Sequence, residues 1–152
     1  MAPQKKQEGF TLIEILVVIG ILAILATIVI VAVNPSRQFA QSRNTQRTAN
    51  VNAILNAVGE RIADNKGLFE KDCAAGAIPT DATVIKNGGY DAGPCLVPTY
   101  LSSLPFDPSI TGAHFTSGAD YDSEYLIKRD AATGRITVSA TAELGETIAV
   151  TR

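Results

Sequence analysis

Residues 9–33 read GFTLIEILVVIGILAILATIVIVAV, and this stretch decides the architecture of the chain. From Phe10 to Val33 only Thr11, Glu14, Gly20 and Thr27 interrupt the apolar run, and Ile15–Val33 carries no charge at all. As a helix rising about 1.5 Å per residue, Ile15–Val33 covers roughly 28 Å, close to the ~30 Å of a bilayer's hydrocarbon core. A lone span in lipid is helical because a helix pairs its own backbone groups, which overrides the modest helix propensity of Ile and Val in water. The rest of the 152-residue chain is different. Overall 46% of residues are hydrophobic, but residues outside 10–33 have the composition of an ordinary soluble domain. The sequence therefore predicts one membrane-spanning helix joined to a soluble head.

Working outward, Glu14 is the anomaly. An acidic residue at the centre of a membrane helix costs about 2.5–3.5 kcal/mol on insertion scales, and such a group usually has a partner and a function. No basic residue lies in the same span. Two readings stand: a carboxylate reaching for headgroup water, or one that pairs with an α-ammonium created by cutting the chain just before Phe10. That ammonium would sit one turn from Glu14, in the same chain or in a stacked neighbour. Upstream, Met1–Gly9 is short and polar, with Lys5 and Lys6. These lysines keep the N-terminus cytoplasmic and send the C-terminal part outside, with Arg37, Arg43 and Arg47 competing on the far side. A secretory signal would need a small-x-small cleavage site after the apolar run. Residues 30–37 offer only a poor one, whereas an uncleaved anchor needs none.

The string Lys6-Gln7-Glu8-Gly9-Phe10-Thr11-Leu12-Ile13-Glu14, followed by the apolar helix, resembles the class III leader of type IV prepilins and pseudopilins. The resemblance implies cleavage between Gly9 and Phe10 by a membrane prepilin peptidase, N-methylation of Phe10 by the same enzyme, and a role for Glu14 in subunit docking. It further implies a homopolymer packed through its N-terminal helices, with an assembly ATPase and a polytopic platform protein as partners. The precursor would sit in the cytoplasmic membrane with its head outside, and the product would be a surface pilus or a pseudopilus. The expected fold is α+β: a long N-terminal helix packed on a small antiparallel sheet. The expected division is a leader (1–9), an assembly helix (10–33), the amphipathic second half of the helix (34–66) and an extracytoplasmic head (67–152).

Asn34-Pro35 predicts a kink or short break, because proline removes a backbone donor and disfavours helical geometry before it. Pilins of this family often place a helix-softening proline where this chain has Val31. Beyond Pro35 a helix is expected to about Lys66. Val51, Ile54, Leu55, Val58 and Ile62 form an apolar stripe of helical period, and Asn65-Lys66-Gly67 supplies a stop. Ser36–Asn50 is polar, with too little apolar surface for burial against its own head. It reads as a solvated neck or as a surface for neighbouring subunits.

Gly67–Tyr100 is rich in glycine and proline, and the region 67–120 reads as loop. Cys73 and Cys95 both fall outside the membrane, which favours a disulfide over a pair of buried thiols. Leu96-Val97-Pro98-Thr99-Tyr100-Leu101 and Leu104-Pro105-Phe106-Asp107-Pro108 resemble a second signature, carried by major pseudopilins of type II secretion and by many pilins of simple bacteria. Ser109-Ile110 stands where those pseudopilins usually have Trp-Gly. They usually bind calcium in the loop that follows, for which Asp107, Asp120, Asp122 and Glu124 could supply oxygen ligands here, in no EF-hand spacing. No cofactor is otherwise expected. Tyr125–Lys128 and Ile136–Thr141 read as a hairpin and Thr147–Thr151 as a third strand, giving a sheet over about 124–151.

Composition narrows function further. The formal charge is −2 and the pI about 5.3, which gives no electrostatic reason to expect nucleic-acid binding. His114 is the single histidine, so multi-histidine metal sites are excluded and any Ser-His-Asp triad would have to use it. No Gly-rich phosphate loop or nucleophile motif occurs. The sequence predicts a structural subunit and not an enzyme. The alternatives are the piston-like pseudopilin of a secretion or DNA-uptake machine and, more remotely, a tethered ligand-binding head.

Overall fold

The computed structural model describes residues 9–152. The expected leader, with Lys5, Lys6 and Glu8, lies outside the described residues apart from Gly9. The chain divides into two compact units that meet at Gln38 and Phe39, and each is described by itself.

The first unit is built on α1, Leu12–Val33, a 22-residue helix in which no residue is buried. It is the one described helix long and apolar enough to cross a membrane. Thr27, polar within this run, turns its hydroxyl back onto the Ala23 carbonyl at 2.9 Å, so its donor is satisfied within the helix. The helix ends at Asn34, which is left-handed at φ 45°, ψ 78°. Helix α2, Pro35–Asp64, starts immediately afterwards with proline in its first turn, where the missing N–H costs nothing. The break expected at Asn34-Pro35 is therefore present. Asn34 also caps the new helix, its side-chain oxygen accepting from the Arg37 amide at 3.4 Å and from the Ser36 hydroxyl at 2.7 Å.

From Phe39 onward α2 belongs to the second unit, the head. The expected stripe is its contact with the core: Val51, Ile54, Leu55 and Val58 are buried and Ile62 packs at the margin. The polar stretch before it departs from expectation. Ala40, Asn44 and Arg47 are also buried. The reading of Ser36–Asn50 as unable to bury against its own domain is corrected, because hydrogen bonds to the head replace the missing apolar area.

The head contains a five-stranded sheet in which all strand pairs are antiparallel. Its strands are β1 (Thr83–Lys86), β2 (His114–Ser117), β3 (Asp120–Arg129), β4 (Ile136–Ala140) and β5 (Ile148–Thr151), with a short helix α3 (Gly93–Leu96) between β1 and β2. The order is β1-β3-β4-β5, with β2 also pairing β3. The β3–β4 hairpin and β5 stand where the sequence put them. Two strands were missed inside the region read as loop, β1 and β2, and β3 begins at Asp120 instead of Tyr125. The missed half of β3 looks polar, yet it alternates correctly: Tyr121, Ser123, Tyr125 and Ile127 face inward. Ser123 is tolerated there because its hydroxyl donates to the Ile85 carbonyl at 2.6 Å.

Gly93 opens α3 against Tyr121. A Cβ at that position would lie 2.6 Å from the tyrosine ring, so only glycine fits without displacing it. The Tyr121 hydroxyl accepts from the Gly93 amide at 2.8 Å and donates to Asp91 at 2.6 Å. The core then gathers α2, the sheet, Phe69, Leu96 and Leu104 into one cluster.

Candidate functional site

Gly9 and Phe10 precede the first helix in non-helical backbone, and both are exposed. Thr11 is the N-cap of α1, with extended backbone at φ −78°, ψ 149°. The Glu14 amide donates to the Thr11 hydroxyl at 3.3 Å. In return, the Thr11 amide and hydroxyl donate to one Glu14 carboxylate oxygen at 2.8 and 2.7 Å. This reciprocal capping box satisfies donors that a helix start leaves open. It also gives Glu14 a partner that charge counting along the span had missed. The signal was present as Thr-x-x-Glu directly before the apolar run. In this structure Glu14 faces Thr11 of its own chain. The expected partner, an α-ammonium on Phe10, exists only after cleavage.

The second constellation fixes α2 to the head. Arg47 donates Nε and Nη2 to the two oxygens of Asp107, at 2.6 and 3.1 Å, Nη1 to Glu143 at 2.8 Å and Nη2 to the Ser109 hydroxyl at 2.7 Å. Arg43, one turn earlier, donates Nε to Glu143 at 2.7 Å. Asn44 completes the seam, exchanging bonds with the backbone of Glu143 at 2.9 and 3.0 Å and donating to Glu146 at 2.8 Å. Burial pushes the Asp107 carboxyl up, but the hydrogen bonds from Arg47 and from the Ser109 and Ile110 amides outweigh it and hold the carboxyl below its ordinary value. Hydrogen bonds from Arg43 and then Arg47 bring Glu143 down to about 2. The Asp107 bond to Arg47 also raises the guanidinium further above its already high value.

The third feature braces the loop after α2. Cys73 and Cys95 form a disulfide across a sequence separation of 22. Beside it Arg61, 8% exposed, donates to three backbone carbonyls: Phe69 at 2.9 Å, Cys95 at 3.0 Å and Lys71 at 2.6 Å. Its guanidinium also lies 5.4 Å from the centre of the Phe69 ring. Sequence reasoning missed both buried arginines.

Three of the four acidic residues considered for calcium have partners within the head. Asp107 is bound to Arg47, Asp120 accepts from His114 Nε2 at 3.1 Å, Asp122 lies 3.5 Å from Lys86 Nζ and accepts from the Glu124 amide. Among the described residues no group of three or more His, Cys, Asp or Glu is arranged to hold a metal ion. His114 is half-exposed, its Nδ1 lying 2.6 Å from the Gly112 carbonyl and its Nε2 facing Asp120.

With this geometry in view, residues 4–30 match the prokaryotic N-terminal methylation motif, the signature of type IV pilins and pseudopilins. The matched segment takes in Gly9, Phe10, Thr11, Glu14 and most of α1, and leaves the head unmatched. No curated protein and no solved structure matches the chain. Motif and apolar helix together fit a pilin-like, membrane-anchored precursor.

Proposed function

We propose that the chain is a structural subunit of a type IV pilus-like fibre. The observation that carries this is the adjacency of three features within six residues: an exposed, non-helical Gly9-Phe10 bond, a capped helix start at Thr11 and a carboxylate at Glu14. A prepilin peptidase cuts between Gly9 and Phe10 and methylates the new amino group of Phe10. Glu14 exchanges its bonds with Thr11 for the ammonium of a neighbouring subunit as helices stack. The apolar surface of α1, covered by lipid in the precursor, is covered by other copies of α1 in the fibre. An assembly ATPase and a platform protein in the cytoplasmic membrane drive that transfer, and the fibre emerges outside. No cofactor or nucleic acid enters the mechanism, and no catalytic step is assigned to the head.

A second reading, a pseudopilin forming a short piston for protein secretion or DNA uptake, is favoured by the Leu96–Pro108 segment. In the head that segment supplies buried Leu96, Leu104 and Asp107, the last being the acceptor for Arg47. Deleting the gene and imaging sheared cell surfaces by electron microscopy separates the two. Abundant fibres containing this chain in the wild type and none in the deletion support the pilus. Lost secretion or uptake with no surface fibres in either strain supports the piston.

A further inference from the structure

One end of the sheet carries charge on its inner face. Arg129 follows Tyr125 and Ile127 in the inward alternation of β3, and Arg152 follows Ile148 and Val150 just beyond β5. Ile136 of β4 stands between them. It is registered with Arg129, and it exchanges both backbone hydrogen bonds with Arg152, at 2.8 and 3.0 Å. Strands two apart in a sheet lie about 10 Å from each other, a gap that two arginine side chains can close from either side. A Cβ placed on Gly134 would lie 3.6 Å from Arg129 Nη2, so this guanidinium rests against the β3–β4 loop. Arg152 donates Nη1 to the Asn56 side chain on α2. Among the described residues neither guanidinium has a carboxylate partner.

Both arginines line a cavity of about 270 Å³. Its walls are Leu55, Val58 and Ile62 from α2 with Phe69, Ile78 and Ile136, all of them in the core cluster or packed on it. Core packing therefore holds the cavity open without an occupant. Arg129 and Arg152 are exposed, which puts them at its mouth. Glu70 is the acidic residue of the lining, so two arginines and one glutamate leave one net positive charge. Small-molecule sites have this character: a preformed, mostly apolar hollow with a few convergent polar groups. We infer that the cavity binds a small apolar monocarboxylate, of the short fatty-acid or arylalkanoic-acid class. Its apolar body lies among Leu55, Val58 and Phe69, and Arg129 and Arg152 take its carboxylate at the mouth. The guanidinium fork matches a carboxylate geometrically, and a monoanion matches the single net charge better than a phosphate dianion does. Every group involved belongs to the head, so the site is independent of α1, of cleavage and of fibre formation.

The test uses the full-length chain in lipid nanodiscs, with empty nanodiscs as background. Saturation-transfer NMR and equilibrium dialysis follow hexanoate and phenylpropionate, the matching alcohols hexanol and phenylpropanol, and acetate. At least one of the two acids is expected to bind saturably and its alcohol about tenfold or more weakly, because the charge-assisted bonds are lost. Acetate, which has no apolar body, is expected not to bind. Arg129→Gln combined with Arg152→Gln should bring acid binding down to that of the alcohol. Gly59 also lines the cavity, and a Cβ there meets nothing within 4 Å, so Gly59→Leu adds bulk without a clash. It should abolish binding of acid and alcohol alike, while circular dichroism shows both variants folded. No saturable binding of either acid would overturn the inference. So would equal affinity for acid and alcohol, or an acid affinity unchanged in the double arginine variant. Acid binding that appears only as the protein is diluted would also overturn it, since a second copy of the chain would then fill the cavity.

Discussion

Arg47 and Asp107 meet in a two-point ion pair within the head, at 2.6 and 3.1 Å, with side chains only 2% and 1% exposed. A guanidinium and a carboxylate lose hydration when buried, and their attraction repays it only with good geometry and every remaining polar group satisfied. Both conditions hold here: Glu143, Asn44 and Ser109 take the remaining Arg47 donors, and the Ser109 and Ile110 amides donate to Asp107. The pair locks residues 105–110 onto α2, and Arg43, Asn44 and Glu143 lock the β4–β5 loop beside it.

Removing one partner is therefore expected to be costly. Arg47→Ala leaves the Asp107 charge buried and unpaired, and a loss of about 3–5 kcal/mol is expected from comparable buried pairs. Asp107→Asn should cost less because it retains the shape and part of the hydrogen bonding. Denaturant melts of the two variants and the double variant measure the coupling. Equal, additive losses of a few tenths of a kcal/mol would show that the pair is not a clamp.

The same groups set an acid limit. Asp107 and Glu143 are held below their ordinary values, Glu143 at about 2. A carboxylate with a depressed folded-state pKa contributes stability that is present above its unfolded pKa, near 4, and is lost as pH falls through the folded value. The melting temperature should thus fall between about pH 4 and pH 2. Arg47→Met should flatten that dependence, because it removes the group that depresses Asp107. An unchanged pH profile in Arg47→Met would contradict this.

Arg61 and the Cys73–Cys95 disulfide brace one loop in two ways. Arg61→Met keeps much of the apolar stem but leaves the Phe69, Lys71 and Cys95 carbonyls without their donor, with an expected cost of about 3 kcal/mol or more at 1–3 per unsatisfied group. Replacing both cysteines by serine should cost roughly 2–5 kcal/mol. Because Arg61 still holds the loop, the reduced head should remain folded at neutral pH. Collapse of β-sheet circular dichroism on reduction alone would refute that.

Glu14 has separable roles as a cap and as a charge. Glutamine can serve at the same position of a capping box, so Glu14→Gln should keep the helix start while removing the charge; Glu14→Leu removes both. Both variants should fail to form fibres if charge pairing drives docking. Fibres of normal length from Glu14→Gln would show that the cap alone matters.

What was legible in the sequence follows from which forces leave a simple pattern. The apolar run gave α1, and Asn34-Pro35 gave its end. Val51, Ile54, Leu55, Val58 and Ile62 gave the packed face of α2, and Ile136–Thr141 with Thr147–Thr151 gave two strands, each within a residue of its observed bounds. The misses are polar residues used as core. Ala40, Asn44, Arg47, Val51, Ile54, Leu55, Val58 and Arg61 form one continuous helical face, but counting only apolar residues truncates it at Val51. Ser123 hid the first half of β3 in the same way. For the candidate site, Gly9, Phe10 and Glu14 were singled out from one short string, and all three fall within the matched motif. The partner of Glu14 needed the Thr11 hydroxyl, whose direction only geometry shows.

The central claim is that the Gly9–Phe10 bond is a processing site. The most direct measurement is intact-mass and N-terminal analysis of the full chain expressed with and without a prepilin peptidase. The account predicts that the peptidase removes Met1–Gly9 and leaves Phe10 at the N-terminus bearing one added methyl group. A chain that keeps residues 1–9 in the presence of an active peptidase would contradict it.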